Sequence, residues 1–180
     1  VDGQYADGGM RDCETILAVR EKHECQEVLF AETNAEKDAL WYMRRRVGEA
    51  VKSNSVYKEE DTVVPRYELP RLLKGVKDIG ARYGFKSVCY GHAGDGNLHV
   101  NIIKGDLDDN AWTNELPKAI REIFELTVSL GGTLSGEHGI GLVQRPYMDI
   151  AFNSVQLELM KRLKEVFDPL GIMNPGKVLP

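Results

Sequence analysis

Two of the four histidines in this 180-residue sequence, His92 and His99, bracket the stretch His92-Ala93-Gly94-Asp95-Gly96-Asn97-Leu98-His99. Asp95-Gly96 reads as the two residues of a type I′ turn, the strongest short-range hairpin signal. Strands then run backwards from Gly94 and forwards from Asn97. That register sets Ala93 opposite Leu98, His92 opposite His99, Gly91 opposite Val100 and Tyr90 opposite Asn101. Directly opposed Cβ atoms stand about 4.5–5.5 Å apart, close enough for two imidazoles to grip one divalent ion. Alternation puts Val88, Tyr90, His92, His99, Asn101 and Ile103 on one face of the ribbon. Cys89, Gly91, Ala93, Leu98, Val100 and Ile102 share the other, which is apolar and is expected to cover a core.

A catalytic zinc-type site uses three protein ligands, commonly imidazole and carboxylate, and keeps a position open. His92 and His99 supply two, and Glu137 in Ser135-Gly136-Glu137-His138-Gly139 is the best third, because flanking glycines let that loop approach another element closely. His138 follows Glu137 directly, so in extended or loop backbone it is expected to point elsewhere and not to bind the same ion. Imidazole suits a general base at neutral pH, which makes His138 a candidate for that role. Asn101, on the His99 face, could hydrogen-bond a substrate, and Arg44 could take a carboxylate in a bidentate fork. Each residue taken singly has an ordinary explanation: hairpin histidines, a surface carboxylate, a loop histidine, a strand amide, a solvated arginine. Three of four histidines in two glycine-rich stretches is what favours a site.

The elements that must hold these residues follow from periodicity. Asp12–His23 reads as a short helix, Cys25–Thr33 as a strand, and Ala35–Val51 as a long helix capped by Asn34. Lys52–Asp61 reads as a polar loop, followed by a short extended piece, Thr62–Pro65. A helix from Tyr67 or Glu68 to Tyr83 ends at Gly84 in the C′ role. The hairpin, Lys86–Lys104, comes next, and a helix beginning at Asp106–Asp109 runs to about Leu130 before Gly131-Gly132. Thr133–Gly141 reads as irregular loop, Asn153 as the cap of a last helix through Phe167, and Asp168–Pro180 as a tail. A hairpin placed between helices points to an α+β architecture, an antiparallel sheet with helices on one face, of ferredoxin-like type.

Composition bounds the rest. A chain that is 42% hydrophobic can bury one core. A net charge of -5 argues against a nucleic-acid partner. Cys13, Cys25 and Cys89 are odd in number and lack CxxC spacing, which reads as reduced thiols in a reducing compartment, with Cys89 a small core residue. No apolar run is long enough for a transmembrane helix. Neither Gly94–Gly96 nor Gly136–Gly141 matches a dinucleotide fingerprint. The opening Val1-Asp2-Gly3 is not an initiator methionine; it resembles the tail of a strand running into a turn and suggests a fragment or processed product.

His92-Ala93-Gly94-Asp95-Gly96-Asn97-Leu98-His99 with Asn101, Gly136-Glu137-His138-Gly139-Ile140-Gly141, and Asp168-Pro169-Leu170-Gly171-Ile172-Met173-Asn174-Pro175-Gly176-Lys177 together resemble the C-terminal domain of FAD-linked oxidases. The likeness is to the branch that holds glycolate oxidase, D-lactate dehydrogenase and D-2-hydroxyglutarate dehydrogenase. Leu40-Trp41 with Arg44, and Glu60 through Arg66, extend it over nearly the whole chain. The resemblance implies that residues 1–180 form a cap domain closing the substrate face of a separate, N-terminal FAD-binding domain, and that the fragment alone is inactive. It implies a 2-hydroxy-acid substrate, FAD, and a divalent metal such as zinc, iron or manganese. By position it makes His92, His99 and Glu137 the metal ligands, His138 the base, and Arg44, Asn101 and Lys58 substrate contacts. It suggests a cytoplasmic enzyme, peripheral to a membrane or mitochondrial in a eukaryote, and leaves a homodimer open. The rivals are a free-standing metal-binding or regulatory module without flavin chemistry, and a structural domain whose glycine-rich loops bind no metal.

Overall fold

The computed structural model describes residues 6–23 and 28–180. The chain divides into two compact units, Val1–Val47 and Gly48–Pro180. The strand tail expected at Val1–Gly3 and the first part of the expected strand at Cys25–Thr33 lie outside the described residues.

In the first unit, α1 spans Ala6–Arg20, beginning earlier than the apolar stripe suggests. Val28–Thr33 forms no strand, and Val28, Leu29 and Phe30 are exposed. Helix α2 (Asn34–Asn54) starts there, and the boundary with the second unit falls within this helix. Its N-cap is Thr33 rather than Asn34. Thr33 Oγ1 accepts from the Glu36 N–H, and Glu36 Oε2 accepts from the N–H groups of Glu32 and Thr33, so the T-x-x-E capping box sits one residue upstream.

The second unit is a four-stranded antiparallel sheet in the order β2-β3-β1-β4, where β1 is Tyr57–Val63, β2 Lys86–Tyr90, β3 Asn97–Ile103 and β4 Thr133–Leu134. Helix α3 (Leu69–Tyr83) connects β1 to β2, and α4 (Leu116–Ser129) connects β3 to β4, which gives the βαββαβ order of a ferredoxin-like fold. Leu98, Val100 and Ile102 of β3 pack with Leu72, Val76 and Ile79 of α3 and Ile120, Ile123 and Phe124 of α4 in one core. The apolar hairpin face therefore covers the core, as alternation requires. Cys89 packs against the same cluster, and burial pushes its thiol pKa up, which disfavours the reactive thiolate. Cys13 and Cys89 are free thiols.

The stretch Lys52–Asp61 is not a loop. Residues 52–54 end α2, and Tyr57–Val63 is a central strand pairing with β3 through Asp61↔His99 and Glu59↔Asn101. Its acidic residues conceal it, because a central strand ordinarily carries apolar side chains on its buried faces. The glycine-rich loop also holds more order than expected, since Thr133 and Leu134 pair with Val63 and Thr62. Short helix α5 (Met148–Ala151) precedes α6 (Ser154–Phe167), which Asn153 caps with a full capping box as the sequence suggests. Gly84 closes α3 at φ 78°, in the left-handed C-terminal role. Among the described residues, no helix is long and apolar enough to cross a membrane.

Candidate functional site: a histidine and carboxylate cluster

The hairpin register differs from the two-residue-turn reading. Tyr90, not His92, lies opposite His99, and Val88 lies opposite Asn101. His92 and Asn97 close the ribbon with reciprocal backbone hydrogen bonds at 3.2 Å, leaving Ala93–Gly96 as a four-residue loop. A type I′ turn needs φ > 0 at both central residues. Ala93–Asp95 instead make a right-handed 3₁₀ turn, and only Gly96 is left-handed, at φ 75°. A Cβ at Gly96 would collide with the Val64 carbonyl oxygen, so the loop is pressed against the chain leaving β1 at a point open only to glycine. The register slips by two residues, and an even slip leaves every side chain on its expected face. His92 and His99 still share a face, with ring centroids 6.4 Å apart.

β1 adds residues that the sequence does not single out. Because Asp61 pairs with His99 and Glu59 with Asn101, Glu59 and Asp61 stand on the histidine face. His99 is the centre of the cluster, its side chain only 7% exposed. Its Nε2 meets Glu137 Oε1 at 2.8 Å. Its Nδ1 lies 3.7 Å from Asp61 Oδ1 and 3.9 Å from Glu59 Oε1, and is buried without a hydrogen-bond partner among the described residues. His92 Nε2 lies 4.0 Å from the same Glu137 oxygen. Tyr90 tilts against His99 at 5.7 Å between centroids. Glu59 also faces Lys52 at 3.6 Å.

The loop carrying Glu137 is tied down by Asp61. Burial would push the Asp61 carboxyl up, but the N–H groups of His138 and Glu137, the Asn97 amide and the Ser135 hydroxyl all donate to it and hold it below the usual carboxylate range. A Cβ at Gly136 would collide with Asn97 Nδ2, so the loop reaches this depth only with glycine there.

His138 does not point away from its neighbour. Ser135 is left-handed at φ 55° and the loop bends instead of extending, so the alternation expected of extended backbone does not apply. The His138 ring stacks on His99 at 4.7 Å and 18°, and its Nε2 lies 3.9 Å from Glu137 Oε1. Asn101 is fully buried, and neither its amide nitrogen nor its oxygen has a hydrogen-bond partner among the described residues. Lys58 is not brought to this face. It alternates to the helix-covered side of β1, where its ammonium lies 5.3 Å from the Trp112 ring centroid. Arg44 lies on α2 in the first unit and is exposed.

Among the described residues, two three-residue sets have ligand atoms all within 4.8 Å of one another: His92, His99 and Glu137, and Glu59, His99 and His138. With metal–ligand bonds of about 2.0–2.2 Å, the ligand atoms of a tetrahedral site are separated by about 3.4 Å. The 2.8 and 4.0 Å separations of Glu137 Oε1 from His99 and His92 bracket that value. The second set fits less well, because an imidazole lone pair lies in its ring plane and the stacked His99 and His138 planes are nearly parallel. The chemistry of the first set, two imidazoles and one carboxylate, suits a divalent cation with a fourth coordination position left open.

Residues 1–178 match the family model "FAD linked oxidases, C-terminal domain". Similar proteins include a glycolate oxidase subunit GlcD of Bacillus subtilis (strain 168), 38% identical over 93% of this chain and 36% of that protein. A D-lactate dehydrogenase of Anaerostipes hadrus is 35% identical over 84% of this chain and 32% of its own length. A D-2-hydroxyglutarate dehydrogenase of Stutzerimonas stutzeri (strain A1501) is 37% identical over 77% of this chain and 30% of its own length. The chain thus spans about a third of the length of these relatives. It belongs to the FAD-linked oxidase C-terminal domain family.

Proposed function

We propose that this chain is the substrate- and metal-binding part of an FAD-dependent enzyme that oxidises a 2-hydroxy acid to a 2-oxo acid, working with an FAD-binding domain outside this sequence. The observation that carries the reading is the convergence of His92, His99 and Glu137 with His138 packed on His99. The relatives' names, which include glycolate, D-lactate and D-2-hydroxyglutarate, support the substrate class.

A divalent ion at the three ligands would supply positive charge that lowers the pKa of a substrate hydroxyl, and flavin the two-electron acceptor. His92, His99 and Glu137 would hold the ion. His138 takes the hydroxyl proton on an imidazole nitrogen. Its ring is positioned by stacking on His99 and by the Asp61 hydrogen bond to its backbone N–H. Asn101 is a proposed substrate contact because its buried amide has no partner of its own. Arg44 is proposed as a carboxylate contact on the family resemblance.

The test is anaerobic flavin bleaching of the intact protein against a panel of D- and L-2-hydroxy acids, with metal content measured in parallel. Bleaching by at least one acid is expected. The His92→Ala, His99→Ala double variant should lose bound metal, and His138→Ala should keep metal but lose flavin reduction. Equal metal content in the double variant and the wild type would remove the site, and undiminished reduction in His138→Ala would remove the base.

A further inference from the structure

Asp61 is 1% exposed, stands in a central strand and is not one of the three proposed ligands. Its carboxylate is shared between two parts of the chain. Oδ2 accepts from the Ser135 hydroxyl at 2.9 Å and from the N–H groups of Glu137 and His138 at 2.8 Å each. Oδ1 accepts from the Asn97 amide at 2.7 Å and faces His99 Nδ1 at 3.7 Å. Its backbone carbonyl takes the Ser135 N–H at 3.2 Å and the Gln144 amide at 2.9 Å.

Two independent features show that this contact organises the site. Ser135 holds a left-handed backbone, φ 55°, that L-residues rarely adopt, while its hydroxyl both donates to Asp61 and accepts from the Gly139 N–H. His99 Nδ1 is buried with no hydrogen-bond partner, and the two carboxylates nearest it belong to Asp61 and Glu59. Glu59 is the less committed of the pair, being 19% exposed and facing Lys52 as well, whereas the Asp61 side chain is 1% exposed.

We propose that Asp61 is the positioning residue of this site: it fixes the backbone of Glu137 and His138 against the His99 strand, and it accepts the His99 Nδ1–H when Nε2 engages a divalent cation. The proposal rests on the His92, His99 and Glu137 reading above. A ligating imidazole donates its second N–H to an acceptor that sets the tautomer and ring orientation. At 3.7 Å that bond is not formed here, and the proposal has it close when the cation binds. Asp61→Asn keeps the size of the side chain but not its double use. Its NH₂ group must face either the loop N–H donors or the Asn97 amide, so one side is lost. Ser135→Ala removes one loop bond and leaves the His99 partner in place.

The experiment measures Zn²⁺ affinity by competition with a chromogenic chelator at pH 7 for the wild-type chain, Asp61→Asn and Ser135→Ala. Histidine side-chain ¹⁵N spectra are recorded with and without Zn²⁺, and thermal unfolding checks the fold. Asp61→Asn is expected to bind Zn²⁺ about 10–100-fold more weakly. Ser135→Ala should lose less, and the Zn²⁺-loaded wild type should show His99 protonated at Nδ1 and ligated at Nε2. Wild-type affinity in Asp61→Asn would overturn the positioning role. Ligation of His99 through Nδ1 would overturn it as well, in the wild-type chain and without any variant. A wild-type chain that takes no Zn²⁺ would instead overturn the ligand reading beneath it, and the proposal with it.

Discussion

Glu60 gives the most demanding prediction. Between Glu59 and Asp61, it alternates to the helix-covered side of β1, is 1% exposed, and has a carboxylate oxygen with no hydrogen-bond partner. Burial pushes its pKa from 4.5 to about 8; Lys58 opposes the rise and Glu59 adds to it. Folded protein therefore keeps this proton in a range where the unfolded chain has lost it. Between about pH 4.5 and 8 the unfolded state binds fewer protons, so stability falls as pH rises, by up to about 1.4 kcal/mol per unit. Over the whole window the loss is about 5 kcal/mol, a large share of a typical domain's stability. Glu60→Gln keeps the shape and cannot ionise. Urea denaturation followed by circular dichroism at pH 5, 6, 7 and 8 isolates the effect, because subtracting the two proteins cancels the titrating groups that do not interact with Glu60. The variant should be close to wild type at pH 5 and more stable by several kcal/mol at pH 8. A stability difference that does not change with pH would refute the assignment.

Other substitutions probe the loop, the cap and the core. Gly136→Ala drives a Cβ into Asn97 Nδ2 and should cost about 1–3 kcal/mol, with weaker Zn²⁺ binding measured in the same samples. Asn153→Ala removes the side chain that accepts the Gln156 N–H at 3.0 Å and should lower stability by about 1 kcal/mol in urea melts. Phe124→Ala, at a fully buried position in α4, should cost about 3–5 kcal/mol by the same measurement.

The face-by-face chemistry of the hairpin is legible in the sequence because side-chain alternation survives any even register shift, although the turn itself is not. Asp95-Gly96 has the composition of a I′ turn, yet the tight approach of Gly96 to Val64 favours a longer loop built on a right-handed turn. The helices α3, α4 and α6 are legible from apolar spacing and from Gly84 and Asn153 at their ends. β1 is not, because Lys58-Glu59-Glu60-Asp61 looks like a solvated charge run. Nothing local in that run shows that Glu59 and Asp61 face a buried histidine while Glu60 enters the core. The one available signal is alternation around Asp61 leading into Thr62-Val63-Val64, which fits the end of a strand. The direction of His138 escapes the sequence because alternation fails in a loop where a left-handed Ser135 turns the chain.

The place of β1 in the sheet also governs the order of assembly. Asp61 reaches Asn97 across 36 residues of sequence, and Ser135, Glu137 and His138 across 74, 76 and 77. Loop closures of this length must come before the contacts that reward them, which slows folding in topologies built on distant pairings. The donor set therefore cannot exist as a local nucleus: the proposed cation site is complete only once β1, β3 and the loop after β4 have come together. If the proposed site takes a cation, adding one during refolding should raise the final yield of native protein without accelerating the step that forms the sheet.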